Sequence, residues 1–153
     1  MTRTASILLV LCAIPALAQF ESIDLRFEGV GCASCVESIP ARIQRLRGVE
    51  SVTVDAAASL VKIRLAPANR IRLEQVRDLI EQDGTKVRSA HVAVRGEIAS
   101  EAGSWMLQPA GGTARYRLPS GDWKQGETCR VLGSIADLRP EGGIMTLTGK
   151  RHE

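Results

Sequence analysis

The chain has 153 residues, of which 44% are hydrophobic and only 3% aromatic, and its formal net charge is +3. This length allows one ordinary domain or two small ones, with a core built mainly from aliphatic side chains. The small positive charge is dispersed without a run of Lys or Arg, which argues against a nucleic-acid partner.

The first 18 residues have the pattern of a secretory signal peptide. Arg3 gives a positive start, residues 7–17 are mostly apolar, and Ala-Leu-Ala at residues 16–18 resembles a signal-peptidase site. The apolar stretch is too short to cross a bilayer, so we expect cleavage after Ala18 and a protein that does not span a membrane. Lipidation at Cys12 is the alternative, but Leu11 stands where such signals need a small residue. The sequence therefore predicts an exported protein, periplasmic or secreted.

Residues 22–91 have the pattern of six alternating elements. Residues 23–29 alternate apolar and polar side chains, which predicts a half-buried strand. From Cys35 onward, apolar residues recur at the three- and four-residue steps of an amphipathic helix. Two strands, a second helix and a short strand are then predicted at residues 49–54, 60–65, 73–80 and 86–90. The order βαββαβ is that of a ferredoxin-like fold.

Residues 92–153 have a different composition, with short apolar segments separated by glycine-rich turns. Five strands are predicted, at residues 92–98, 105–107, 114–118, 129–133 and 144–148. Short strands at nearly regular spacing are typical of a small barrel, and we expect an OB-like one. The predicted fold class is therefore α+β, with a ferredoxin-like domain at residues 22–91 and a small all-β domain at residues 92–153.

The Cys-x-x-Cys motif at residues 32–35 is the main candidate for a functional site in this sequence. Cys32 lies at the end of a glycine-containing loop and Cys35 in the first turn of the predicted helix, so both sulfurs could reach one ion. A helix N-terminus favours the thiolate, which is the form that binds metal. Two soft thiolates suit Cu(I), or Hg(II) and other soft ions, whereas structural zinc prefers four ligands and no second ligand pair is present.

The motif, the helix pattern after it and the following strand Val-x-Val at residues 52–54 together resemble the heavy-metal-associated domain family, which includes copper chaperones and the periplasmic mercury-binding protein. The resemblance covers about residues 22–91. It implies a ferredoxin-like fold, Cys32 and Cys35 as metal ligands, and no enzymatic activity. It also implies transfer of the ion by thiolate exchange to a metal-transporting membrane protein or another thiol metal-binding protein. Val30 departs from the family pattern, which usually has Met there.

Several other residues admit more than one interpretation. After removal of Cys12 three cysteines remain, and an odd number argues against a disulfide framework. Cys129 is predicted to be a buried apolar residue, with a third metal ligand or an intermolecular disulfide as alternatives. Lys86 could offset the negative charge of a bis-thiolate complex or be an ordinary solvated lysine. Core packing is predicted for Trp105, Trp123, Tyr116, Met106 and Met145, and no function for His91 and His152.

Two functions of other classes remain open at this point. Cys32 and Cys35 could form a disulfide, which an oxidising compartment favours, and could then act in thiol-disulfide exchange. Alternatively, the first domain could be an interaction module without metal, with the β-domain binding a partner protein. Against a thioredoxin-like redox function, no Trp precedes the motif and the predicted element order is different.

Overall fold

The computed structural model describes residues 19–29, 32–109 and 113–152. The predicted signal peptide, Cys12 and Val30 therefore lie outside the described residues. In chain order the elements are β1 (Phe20–Glu28), α1 (Ala33–Gln44), β2 (Val49–Asp55), β3 (Leu60–Leu65), α2 (Leu73–Glu81), β4 (Lys86–Glu101), β5 (Ser104–Gln108), β6 (Tyr116–Leu118), β7 (Thr128–Ile135), β8 (Met145–Thr146) and β9 (Thr148–His152).

The first half has the predicted βαββαβ order and a ferredoxin-like sheet. Strand β1 pairs antiparallel with both β3 and β4, and β2 pairs with β3, so the strand order is β2-β3-β1-β4. In β3, Val61 and Ile63 are buried whereas Lys62 is exposed, as expected for a sheet that is covered on one face. The helices supply the matching apolar residues Ile39, Ile43, Leu73, Val76 and Ile80, all of which are buried.

Helix α1 begins earlier and ends earlier than the apolar spacing predicts. Its first residue is Ala33, because Cys32 takes an extended backbone conformation and caps the helix with its side chain. Its last residue is Gln44, and Leu46 packs against the core from the turn that follows. The predicted strands at residues 49–54 and 60–65 agree with the structure to within one residue.

Strand β4 is a single 16-residue strand, and the predicted interruption near residue 91 was wrong. Ala90 pairs with β1 on one edge of β4 and with β7 on the other, and Glu97 pairs with both β5 and β7. Strands β1 and β5 therefore follow one another along one edge, while β7 lies along the other. Because partners line both edges, backbone hydrogen bonding continues past the position where the local pattern weakens. The predicted domain boundary at residues 91–92 lies inside this strand.

The described residues of the second half form strands and no helix. Strands β4, β5 and β6 pair antiparallel in succession, β6 pairs parallel with β8, and β7 pairs with β4 and β9. Leu147 alone separates β8 from β9, and its N–H donates to the carbonyl of Arg117 in β6 at 2.8 Å. The strand predicted at residues 144–148 is thus two strands on either side of Leu147. The OB-like barrel stays a prediction.

Buried residues of the two halves belong to one hydrophobic cluster. Phe20 of β1 meets Tyr116 of β6 edge to face, with the ring centroids 5.7 Å apart. The predicted core residues Met106 and Met145 are buried, and both tryptophans are partly buried. Within the described ranges, no helix has the length and apolar character needed to cross a membrane.

Candidate metal-binding site

The start of α1 brings the two predicted ligands together. The Cα atoms of Cys32 and Cys35 are 5.3 Å apart, and the two sulfurs are joined in a disulfide. The Sγ atom of Cys32 also accepts the backbone N–H of Cys35 at 3.2 Å, as an N-cap side chain does, and lies 3.2 Å from the Ser34 hydroxyl. The cap therefore holds the first sulfur directly over the free N–H groups of the helix.

The environment of the pair suits thiolates once the disulfide is reduced. Cys32 is exposed and Cys35 is half-buried, so an incoming thiol or ion can reach the first sulfur from solvent. The first turn of α1 contains no acidic residue, and the partial positive charge at the helix N-terminus stabilises a thiolate there. Two adjacent soft anionic donors at an exposed position fit a soft monovalent or divalent ion.

No larger ligand set surrounds the pair in the part of the chain that the structure describes. No group of three or more His, Cys, Asp or Glu side chains is placed there to hold a metal ion. A closed four-ligand zinc site is therefore not formed by the described side chains. Cys32 and Cys35 are the candidate ligands that the geometry offers.

An ion pair behind the motif fixes α1 to the connection between α2 and β4. Arg42 donates from Nη2 to the carbonyl oxygen of Cys35 at 3.3 Å and to Oδ2 of Asp83 at 2.7 Å. Asp83 in turn accepts the Thr85 hydroxyl at 2.9 Å. Burial by itself raises the pKa of the Asp83 carboxyl, but the hydrogen bonds from Thr85 and Arg42 lower it more, so the net pKa is below 3.8.

Sequence reasoning did not single out these supporting residues. Arg42 follows Cys35 by seven residues, two helical turns, which places both on one face of α1 and was a usable signal. Ser38 follows Cys35 by three residues and therefore also lies on that face of α1. Its hydroxyl donates to the Cys35 carbonyl at 2.8 Å. The sequence did not indicate a role for Asp83, because Asp83 and its partner Arg42 are 41 positions apart in the chain.

Lys86 lies at the same end of the sheet as the cysteine loop. It is the first residue of β4 and pairs with Glu28, the last residue of β1. Its Cγ lies 3.9 Å from the position that a Cβ on Gly29 would occupy, so its stem packs beside the segment that enters the loop. Glu28 forms an ion pair with Arg88. The stem of Lys86 is thus placed beside Gly29, and the role of its charge in compensating a bis-thiolate complex stays a prediction.

Among the described residues, the third cysteine and the two histidines are not part of this site. Cys129 is a free, buried residue in β7, where it pairs with Gly96 of β4. Burial raises the pKa of its thiol, so the thiolate that a metal requires is disfavoured. His91 is exposed on β4 and lies 2.9 Å from the Ser134 hydroxyl, and His152 is exposed on β9 beside Arg130.

Comparison with known proteins places the first half in a family. Residues 24–86 match the sequence profile of the family described as "Heavy-metal-associated domain". No curated protein matches the chain. The profile match ends at the first residue of β4 and leaves the second half of the chain unmatched.

Solved structures similar to this chain cover less than half of it. The CopZ metallochaperone is 24% identical, with 43% of this chain and 97% of that chain covered and a TM-score of 0.39. The N-terminal domain of a potential copper-translocating P-type ATPase from Bacillus subtilis, in a Cu(I)-loaded state, is 24% identical over 44% and 84% of the two chains, with a TM-score of 0.40. On the profile match, residues 24–86 of this chain form a heavy-metal-associated domain.

Proposed function

We propose that this protein is an exported carrier of a soft metal ion, Cu(I) first and Hg(II) or another soft ion second. The ion is held by the thiolates of Cys32 and Cys35 and is passed on by ligand exchange. One observation carries the proposal: the two sulfurs are within bonding distance of each other at the exposed, capped start of α1. The match of residues 24–86 to the heavy-metal-associated domain family supports the same proposal.

Metal capture requires the reduced form of the pair. A disulfide has no thiolate to donate, so a dithiol reductant must first supply two electrons and two protons and become a disulfide itself. The exposed Cys32 sulfur is the accessible point for that attack. The loaded ion can then be approached from the same side by a thiolate of the acceptor. Each thiolate of this chain leaves the ion in turn, so the ion is never free in solution.

Export and the acceptor belong to the same proposal. The signal-peptide pattern of residues 1–18 supports a periplasmic or secreted location. A metal-transporting membrane protein or another thiol metal-binding protein is the acceptor expected for a heavy-metal-associated domain. No bond in a substrate other than the metal–sulfur bonds is made or broken, so the protein acts as a carrier and not as an enzyme.

We also propose that the second half is an OB-like barrel. The support is the pairing pattern, which runs from β4 through β5, β6 and β8 and returns through β9 and β7 to β4. With β8 and β9 counted as one strand interrupted at Leu147, the ring has the five strands of an OB-like barrel.

A second candidate function is thiol-disulfide exchange. The disulfide between Cys32 and Cys35 favours it, since an exposed disulfide at a helix N-terminus is the arrangement of a redox centre. The two functions differ in whether the protein binds its ion stoichiometrically or turns over substrate. A carrier binds a stoichiometric ion, whereas an oxidoreductase turns over many disulfides per protein molecule.

The decisive experiment is an anaerobic titration of the reduced protein with Cu(I) against a competing chelator. We expect one ion per monomer, with binding abolished in the Cys32→Ser/Cys35→Ser double variant. Cys129→Ser is the matched control, because it removes a thiol that is buried in β7, and it should bind as the wild type does.

Other outcomes discriminate between the alternatives. Equally weak binding by wild type and double variant would contradict the metal proposal. Reduction of a disulfide substrate with multiple turnovers would favour the oxidoreductase. Binding of a partner protein that survives loss of both cysteines would favour an interaction module.

A further inference from the structure

The first turn of α1, which contains Cys35, lacks one of the backbone hydrogen bonds of a regular helix. Pro40 lies inside α1. A proline has no N–H, so the carbonyl oxygen of Val36 is without the donor that the fourth residue along an α-helix normally supplies. The backbone therefore joins the first turn to the rest of the helix less firmly than in a helix without proline, at the residue next to Cys35.

Two side chains hydrogen-bond to the backbone of this turn. The Ser38 hydroxyl donates to the carbonyl oxygen of Cys35 at 2.8 Å, and Nη2 of Arg42 donates to the same oxygen at 3.3 Å. Ser38 precedes Pro40 in the chain, whereas Arg42 follows it. Of these two bonds, the one from Arg42 therefore joins the first turn to the part of the helix beyond the proline.

Arg42 is itself held in place by residues outside α1. Its Nη2 also donates to Oδ2 of Asp83 at 2.7 Å, and its side chain is only 16% exposed. Asp83 in turn accepts both the backbone N–H and the hydroxyl of Thr85, which is buried. The guanidinium group is thus fixed between the α2–β4 connection and the carbonyl of Cys35, so it is ordered before any ion binds.

These contacts do not use the sulfur atoms. They join a guanidinium group to a carbonyl oxygen and a carboxylate, so reduction of the disulfide leaves them in place. In the reduced protein no bond joins Cys32 to Cys35, and the position of Cys35 depends on how firmly the first turn is held. Two ligands that are already in position lose less conformational entropy on binding an ion than two mobile ones.

We propose that Arg42 is the positioning residue of the cysteine pair. It replaces the support that Pro40 removes from the first turn of α1, and it keeps Cys35 in place for the ion. Arg42 acts through the carbonyl group of Cys35 and is not a ligand. The benefit to ion binding rests on the proposed carrier function, whereas the support of the turn is a property of the metal-free protein.

Amide hydrogen exchange of the reduced, metal-free protein tests the support of the turn. Arg42→Met keeps a long side chain without a donor, and the amides of residues 37–39, which close the first turn, should exchange about 3- to 10-fold faster than in the wild type. Arg77→Met is the matched control. The side chain of Arg77 is 11% exposed and also contacts a carboxylate and a carbonyl oxygen, but these belong to Asp78 and Leu138. It should leave the amides of residues 37–39 at the wild-type rate.

Cu(I) affinity, measured against a competing chelator, tests the consequence for binding. Arg42→Met should bind Cu(I) about 3- to 10-fold more weakly than the wild type, and Arg77→Met should bind it equally well. Pro40→Ala restores an N–H that can donate to Val36, so in that background Arg42→Met should change the exchange rate and the affinity by less than about 2-fold. A contribution of Arg42 to overall stability alone would be equally large in both backgrounds.

The results that would overturn the proposal are equally specific. It is wrong if Arg42→Met leaves the amides of residues 37–39 at the wild-type exchange rate, or if its effects are equally large with and without Pro40. It is also wrong if Arg77→Met changes exchange and affinity as much as Arg42→Met does. A wild type that binds no Cu(I) would contradict the proposed function and not the support of the turn, which hydrogen exchange measures without metal.

Discussion

At the scale of single residues, the cysteines of the described chain differ in their surroundings more than in their sequence context. Cys32 is exposed and caps a helix, Cys35 is half-buried in the first helical turn, and Cys129 is buried in a strand with its pKa raised by burial. Thiol reactivity follows thiolate fraction and access, so these three residues should separate clearly in a chemical experiment.

We predict that iodoacetamide labels the reduced, folded protein at Cys32 and Cys35 and leaves Cys129 unmodified. Peptide mass mapping after a short exposure at neutral pH measures the result. Protein unfolded in urea is the control and should react at all three positions. Equal labelling rates for Cys129 and Cys32 in the folded protein would contradict the burial that the structure shows.

A second prediction concerns the ion pair that supports the motif. The side chains of Arg42 and Asp83 are 16% and 23% exposed, so the pair is better shielded from solvent than a surface ion pair. We expect Asp83→Asn to lower the free energy of unfolding at pH 7 by about 1 kcal/mol. Urea denaturation measures the difference. Asp122→Asn, which changes an exposed aspartate without an ion pair among the described residues, should cause almost no change.

The pH dependence of that difference has a defined sign. The folded-state pKa of Asp83 is lowered, so the carboxylate stabilises the fold at every pH above the ordinary value of 3.8. This contribution is lost as the pH falls through the lowered folded-state pKa. The gap between wild type and Asp83→Asn should therefore be constant from pH 7 to about pH 5 and shrink below pH 3.8. A gap that widens on acidification would contradict the assignment.

At the scale of elements, β7 and β9 meet at a pair of glycines. Gly133 and Gly149 are direct cross-strand partners, and a Cβ on Gly149 would lie 2.7 Å from the Cα of Gly133 and would also clash with the carbonyl of Leu132. The two strands can therefore approach this closely only because neither residue has a side chain.

We predict that Gly149→Ala destabilises the protein by about 2 kcal/mol, since backbone atoms must move to admit the new methyl group. Thermal or urea unfolding measures the loss. Lys150→Ala, at the exposed neighbouring position, is the control and should stay within about 0.5 kcal/mol of the wild type. If both variants are equally stable, the close approach of β7 and β9 is not maintained in solution.

At the scale of the whole molecule, the two halves share a strand and a core. β4 completes the sheet of the first half and starts the strand arrangement of the second. Further contacts join the halves away from this strand: Arg130 pairs with Glu21 at 2.6 Å, and Arg139 of the second half pairs with Glu81 of α2. The first half is thus supported along the outer edge of its sheet.

We predict that a fragment of residues 19–91 melts at least about 5 °C below the full chain. Ending at residue 91 removes the partners of Phe20, Ser22 and Ile23 in β4 and the ring of Tyr116. A fragment of residues 19–101 keeps all of β4 and should be more stable than the shorter one. Equal stability of the 19–91 fragment and the full chain would instead support two independent domains.

Local patterns in the sequence predicted much of this protein correctly. Side-chain alternation and helical spacing depend on residues a few positions apart, and they indicated the βαββαβ order of the first half. The closeness of Cys32 and Cys35 is also a local feature. The two cysteines are three positions apart at the start of a helix, and this spacing alone brings their sulfurs together. The resemblance to the heavy-metal-associated family rests on these local features and is confirmed for residues 24–86.

Features that depend on distant residues became apparent only in three dimensions. The continuity of β4 depends on β7, which lies along its outer edge and is more than 30 residues further along the chain. The support of the motif by Asp83 and the contact between Phe20 and Tyr116 likewise depend on segments that are far apart in sequence. The spacing of residues along the chain does not indicate which strand pairs with the edge of another, or which side chains come into contact across the core. Those contacts are decided by the free energy of the whole packed chain, which is why the tertiary structure alone shows them.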